Sequence, residues 1–101
     1  MSWLKPHLFL LVLSALIGVS CAGPRPIEDI VLAKTAIDAA KDSGAQSIAP
    51  GFFHKAEESY RLGELALKGN YNNEARQHFI DSRTFAEKAE NATRLKKFKS
   101  G

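Results

Sequence analysis

The sequence is poor in cysteine and lacks the patterns of common catalytic and metal sites. Cys21 is the only cysteine among 101 residues, so an intramolecular disulfide and the CxxC or Cys/His spacings of zinc sites are excluded. A Gly-rich phosphate loop and a GxSxG nucleophile motif are also missing. We therefore expect no enzyme, no catalytic residue, no metal site and no small-molecule substrate.

Apolar runs of membrane-spanning length are missing as well. Residues 8–17, LFLLVLSALI, carry no charge, but a spanning helix needs about twenty apolar residues. Lys5 precedes this run, and small residues with a Pro-rich break follow it. The arrangement is typical of a cleaved secretory signal peptide, which we assign to residues 1–20. A short buried helix of a cytosolic protein is the alternative interpretation.

The lone cysteine lies at the end of this signal segment. Residues 17–21, IGVSC, resemble the bacterial lipobox, in which apolar and small residues precede an invariant cysteine. The resemblance implies cleavage between Ser20 and Cys21, with a diacylglycerol on the sulfur and an N-acyl chain on the new amino terminus, and no other cofactor. Gly18 stands where leucine is usual in that motif. Ordinary signal peptidase cleavage after Ala22 is the alternative, and it would discard the cysteine.

Lipidation would also fix where the protein resides. Several acyl chains hold a protein on a membrane almost permanently, whereas one chain holds it weakly. By the sorting rules that this resemblance implies, aspartate after the cysteine retains a lipoprotein in the inner membrane, but Ala22 follows here. We expect a lipid anchor in the outer membrane facing the periplasm of a Gram-negative host. The possible partners are then the membrane, an envelope protein or peptidoglycan, and nucleic acid is excluded.

The rest of the chain divides into a tether, a helical domain and a tail. Residues 21–26 form the lipidated tether, because Pro24 and Pro26 favour extended backbone. An alanine-rich helical domain is expected over residues 27–98, and residues 99–101 form the basic tail end. Small side chains bury little apolar area each, so the core should be thin.

Hydrophobic periodicity in the domain predicts an all-α fold. Apolar residues recur at helical spacing over about 27–43, 51–68 and 72–97, and no alternating β-branched run indicates a strand. We expect a three-helix antiparallel bundle or helical hairpin. The predicted inner faces consist of Ile30, Ala33, Ile37 and Ala40 in the first helix, of Phe52, Phe53, Ala56, Tyr60, Gly63 and Leu67 in the second, and of Ala75, Phe79, Ser82, Ala86 and Ala89 in the third.

Two family resemblances concern this domain. The pairs Cys21-Ala22 and Ala49-Pro50, and a Gly-Asn-Tyr turn at residues 69–71 followed by Ala75, resemble the small bacterial lipoproteins grouped as domain of unknown function 4398. This resemblance covers nearly the whole mature chain. It implies an envelope location and a helical form, without an established activity.

A second resemblance is to a single tetratricopeptide repeat. Leu62, Gly63, Ala75 and Phe79 fall at that motif's spacing. Gly63 would let the second helix touch the third near Ala75, with Phe79 filling the space beside them. The departures from the motif are Ser59, Ala66 and Ser82. Stable arrays need about three repeats, so convergence on a helical hairpin is the alternative.

Charge is concentrated at one end of the chain. The net charge is +3, and the last eight residues, RLKKFKSG, contain no acid. Their four bases are Arg94, Lys96, Lys97 and Lys99. These side chains could contact an anionic polymer or partner, or could simply complement the dipole of a helix C-terminus. In an up-down-up fold they would lie far from the anchor.

These patterns favour a membrane-anchored, non-catalytic helical interaction module of the cell envelope. One alternative is a structural lipoprotein that self-associates through its alanine stripes. Another is a small metal-binding or enzymatic protein, using the pairs His54 with Glu58 and His78 with Asp81. A closed zinc site needs about four ligands, so we interpret these pairs as solvated helix faces.

Overall fold

The computed structural model describes residues 23–100. The expected signal peptide, cleavage after Ser20 and lipid attachment at Cys21 lie outside the described residues. Within them the structure contains helices and no strand, which confirms the all-α prediction. The helices are α1 (Ile27–Ser43), α2 (Ala45–Ile48), α3 (Pro50–Lys68) and α4 (Asn72–Ser100). Between residues 23 and 100, no helix is long and apolar enough to cross a membrane.

The helix boundaries follow local signals with two differences. Gly44 ends α1 in the left-handed conformation, with φ 93°, and its N–H donates to the carbonyls of Ala40 and Lys41. The predicted helices left the connection at residues 44–50 unassigned, and it contains the one-turn helix α2. At the other end of the chain, α4 extends to Ser100, so Lys99 belongs to a helix.

Helix α4 is the centre of the fold. Both α1 and α3 pack extensively along it, whereas α1 and α3 touch each other little. At one end, which we call the tether end, Asn72 Nδ2 donates to the Gly23 carbonyl at 3.0 Å. At the opposite far end, Lys96 Nζ donates to the Ile48 carbonyl at 2.9 Å. The three long helices therefore alternate in direction.

The core is thin because alanine supplies most of it. On α4 the buried residues are Ala75, Phe79, Ser82, Ala86, Ala89 and Thr93, which include every predicted inner-face residue of that helix. The opposing buried positions are Ala33 and Ala40 of α1, Ala45 of α2, and Phe53, Ala56, Gly63 and Ala66 of α3. The prediction for Phe52 was wrong, since 38% of its surface is exposed.

Polar side chains inside this core are satisfied by backbone carbonyls. Ser82 Oγ donates to the Ala56 carbonyl of α3 at 2.7 Å, and Thr93 Oγ1 donates to the Ala89 carbonyl at 2.7 Å. Over residues 23–100, no buried side-chain nitrogen or oxygen lacks a partner. Each such bond contributes about 1 kcal/mol net to stability, and the bond of Ser82 joins two helices.

The close contact between α3 and α4 that was expected at Gly63 is present. A Cβ added to Gly63 would lie 2.8 Å from Phe79 Cζ and 2.9 Å from two further ring atoms. The Phe79 ring is completely buried and meets the Tyr60 ring edge to face, with centroids 5.2 Å apart. Ala75 belongs to the same cluster. The ring consequently has little room to move away from position 63.

Replacing this glycine should destabilise the fold. We expect Gly63→Ala to lower the free energy of unfolding by about 1–3 kcal/mol, because the new methyl group overpacks the Phe79 ring. The measurement is urea denaturation followed by circular dichroism.

Gly51→Ala is the matched control for this substitution. Gly51 is also helical, but nothing lies within 4 Å of a Cβ added there, and alanine favours helix over glycine. The control should leave stability unchanged or slightly raised. Equal effects of the two substitutions would contradict close packing at Gly63.

Candidate functional site

The basic residues at the end of α4 meet the ends of two other helices. Lys97 Nζ donates to the carbonyl of Ser43, the last residue of α1. Lys96 Nζ donates to the carbonyl of Ile48, the last residue of α2. Carbonyls at helix C-termini lack helical partners and carry partial negative charge, so ammonium groups stabilise them. Two of the four predicted contact residues therefore help to hold the fold together.

The other two predicted contact residues differ from each other. Arg94 Nη2 lies 2.5 Å from Glu90 Oε1 one turn earlier in α4. Lys99 makes no ion pair or side-chain hydrogen bond with residues 23–100. The exposed ion pair of Arg94 is weak, and Lys99 has no such pair to break. Both side chains can therefore still turn towards an anionic partner. The structure thus separates four bases that the sequence presents as one group.

An apolar patch lies between Arg94 and Lys99. Residues 94–100 are all exposed, and among them Leu95 is 57% and Phe98 85% exposed. At about 100° per residue, these two side chains lie on the side of α4 opposite the buried Thr93. Sequence reasoning missed the patch, although the i, i+3 spacing of Leu95 and Phe98 is visible in the sequence.

A groove of about 380 Å³ opens at the far end between the start of α3 and the last third of α4. We call it the far-end groove. Its lining residues are Ile48, Ala49, Pro50, Gly51, Phe52, Lys55, Ala92 and Lys96. Most of them are apolar, two are lysines and none is acidic. The groove depends on the position of α2, which the sequence did not predict.

A second groove, of about 470 Å³, separates α1 from α3. Its lining mixes acids and bases: Lys34, Ile37, Asp38, Glu57, Tyr60, Arg61 and Glu64. Burial raises the pKa of the Tyr60 phenol above its usual 10.0, and the nearby carboxylates of Glu64 and Asp38 add to this. Arg61 is paired with Glu58 at 2.5 Å. The lining thus has three carboxylates against two bases, and Arg61 is already paired with Glu58 outside it, so this groove is net acidic.

The histidine pairs considered from the sequence are not formed. His54 Nδ1 lies 3.9 Å from Glu57 rather than near Glu58, whose carboxylate accepts hydrogen bonds from Arg61. Asp81 accepts a hydrogen bond from Gln77 Nε2 at 2.9 Å. Across the described part of the chain, no group of three or more His, Cys, Asp or Glu residues could hold a metal ion.

Comparison with known proteins does not assign the chain to a protein family. No family model matches the chain, and no similar curated protein or solved structure is found. The resemblances to bacterial lipoproteins and to a tetratricopeptide repeat stay predictions that rest on the quoted residues alone.

The contact between Lys97 and Ser43 generates a stability prediction. We expect Lys97→Met to lower the free energy of unfolding by about 0.3–1 kcal/mol, because a cation is lost from the C-terminal end of α1. The loss should shrink at high salt, where exposed charges are screened. Thermal and urea denaturation of the purified chain at two ionic strengths measures it.

Lys99→Met is the control for this experiment. It removes the same charge from the same helix, but from a side chain without a partner in the described residues. Both lysines lie in the last turn of α4, so Lys99→Met measures the loss of a cation from that turn alone, and its effect should be smaller than that of Lys97→Met. A loss as large as that of Lys97→Met would show that the contact with Ser43 contributes nothing specific.

Proposed function

We propose that the protein is a lipid-anchored lipoprotein of the outer membrane that faces the periplasm and acts as a non-catalytic interaction module. In this proposal residues 1–20 are a cleaved signal peptide, and Cys21 carries the diacylglycerol and the N-acyl chain. The envelope partner is a protein or peptidoglycan, and it is contacted through the end of the fold that lies away from the membrane.

The observation that carries the proposal is the separation of the two ends of the fold. Gly23 follows the proposed lipidation site by two residues and is hydrogen bonded to Asn72 at the start of α4. Lys96 and Lys97 lie at the other end of this 29-residue helix. At 1.5 Å per residue the helix is about 44 Å long. An anchor at Cys21 would therefore hold the exposed basic and apolar side chains well away from the bilayer.

The fold also supports a binding role rather than catalysis. Its charged side chains are mostly exposed or paired with neighbours on the same helix, as in Arg61 with Glu58 and Arg83 with Glu87. We propose that α3 and α4 form a tetratricopeptide-like hairpin around Gly63 and Phe79. Membership in the group called domain of unknown function 4398 is part of the same proposal, as is the absence of a cofactor beyond the lipid.

Self-association through alanine stripes has less support. That alternative needs exposed alanine faces, but Ala33, Ala40, Ala56, Ala86 and Ala89 are completely buried. The alanines are used to pack the helices of one chain against each other. We therefore favour the interaction module over a self-assembling coat.

The proposal is tested with the intact chain purified from membranes. We expect the mass of its mature N-terminus to correspond to a chain that begins at Cys21 and carries acyl groups. Used as bait at low salt, this chain should retain isolated sacculi or a defined envelope protein, and Lys99→Glu should weaken that retention because the charge of an exposed base is reversed.

Lys68→Glu provides the matched control, since it makes the same charge change at the tether end, where α3 terminates. It should leave retention unchanged. A mature chain that begins at Gly23 without lipid would refute the anchor. A lipidated chain that retains neither sacculi nor any envelope protein would refute the interaction role.

A further inference from the structure

The far-end groove has an accessible apolar floor. Phe52 is a large aromatic side chain that remains 38% exposed, and it lines the groove together with Ile48 and Ala92. The space around Gly51 is open, because nothing lies within 4 Å of a Cβ added there. Ligand sites in proteins are typically concave and mostly apolar, with a few polar groups that fix orientation. The groove has these features.

The charged residues that line the groove have one sign. Lys55 and Lys96 line it, and the amino groups of Lys55 and Lys88 lie 5.5 Å and 5.7 Å from the centroid of the Phe85 ring. Within residues 23–100, none of these lysines forms an ion pair with a carboxylate. The surface around the groove is therefore complementary to negative charge.

The acids nearest in sequence on α4 do not neutralise these lysines. Glu87 pairs with Arg83 at 3.0 Å, and Glu90 pairs with Arg94 at 2.5 Å. Both carboxylates are thus already bound to arginines of α4 itself. On α3, Glu58 lies one turn after Lys55 and is paired with Arg61. The ammonium of Lys55 is consequently left for a group from outside the described residues.

The shape of the far-end groove favours a peptide over a bilayer as its ligand. Insertion into a bilayer requires apolar side chains that protrude, and Leu95 and Phe98 on the outer side of α4 protrude in this way. The far-end groove is instead a shallow, open groove between α3 and α4. A shallow apolar groove with a cationic rim accommodates the side chains of a peptide whose acidic residues reach the rim.

We propose that the far-end groove binds an acidic, amphipathic peptide segment of a partner protein. Apolar side chains of that segment contact Phe52 and Ala92, and its carboxylates pair with Lys55 and with the remaining donors of Lys96, whose ammonium also donates to the Ile48 carbonyl. The inference rests on the proposed function and specifies the chemistry of the partner at the end that lies away from the membrane.

The test is selection of random twelve-residue peptides displayed on phage against the full mature chain in zwitterionic nanodiscs. We expect the selected peptides to combine acidic with large apolar residues and to bind more weakly as salt concentration rises. Binding of these peptides should shift the backbone amide resonances of residues 48–55 and 88–96 of the protein. Lys55→Glu should reduce affinity about tenfold or more, since one attraction becomes a repulsion.

Two controls accompany this selection. Lys68→Glu, the same change at the tether end, should alter affinity by less than about twofold. Dihexanoylphosphatidylglycerol, a soluble anionic lipid, should fail to displace the peptide. Lys55 is exposed, so Lys55→Glu should leave the circular dichroism spectrum unchanged, and Phe52→Ala provides a second variant that removes the apolar contact instead of the charge.

The proposal is overturned by any of four results. These are selection of neutral or basic peptides, no selection at all, equal loss of affinity in Lys55→Glu and Lys68→Glu, or displacement by the lipid. Failure of the anchor gives a different result, because an unlipidated chain still contains the groove and would bind the peptide. A lipidated chain that binds no peptide would contradict peptide binding by the far-end groove and leave the proposed lipid anchor intact.

Discussion

The close approach of two helices to one face of α4 is the constraint on which the rest of the structure depends. Gly63 and Ser82 show why small residues are required: the first leaves space for the Phe79 ring, and the second bonds directly to the backbone of α3. Each small residue buries little apolar area, and burial contributes only about 25 cal/mol per Å² to the stability of the fold. The two completely buried rings, Phe53 and Phe79, therefore contribute a large share of the buried apolar area.

This arrangement leaves specific surfaces accessible. Because α1 and α3 both pack on α4 rather than on each other, a groove remains between α1 and α3. The position of α2 leaves the far-end groove beside the start of α3. The first contains acids and bases together, whereas the second has only lysines beside its apolar floor. The same packing keeps Gly23 and Lys97 at opposite ends of the fold. A protein anchored at one end can then present its other end to a partner.

Local signals in the sequence determined much of this fold, and tertiary contacts determined the rest. The end of α1 was predictable, since Gly44 readily adopts a left-handed conformation. The buried face of α4 was predictable from its spacing. The exposure of Phe52 and the turn of α2 were not, because both depend on how the connection packs against α4. The roles of Lys96 and Lys97 were missed for the same reason, since their acceptors lie on other helices.

The central claim is that helix α4 holds the tether end and the basic end of the fold apart. The most direct test is a pulsed electron paramagnetic resonance distance between nitroxide labels at Arg25→Cys and Lys99→Cys in the membrane-derived chain. These sites are near opposite ends of α4, so the account predicts one narrow distribution centred at roughly 40 Å. A broad distribution, or one centred below about 25 Å, would contradict it, because a helix of this length cannot bring its ends so close.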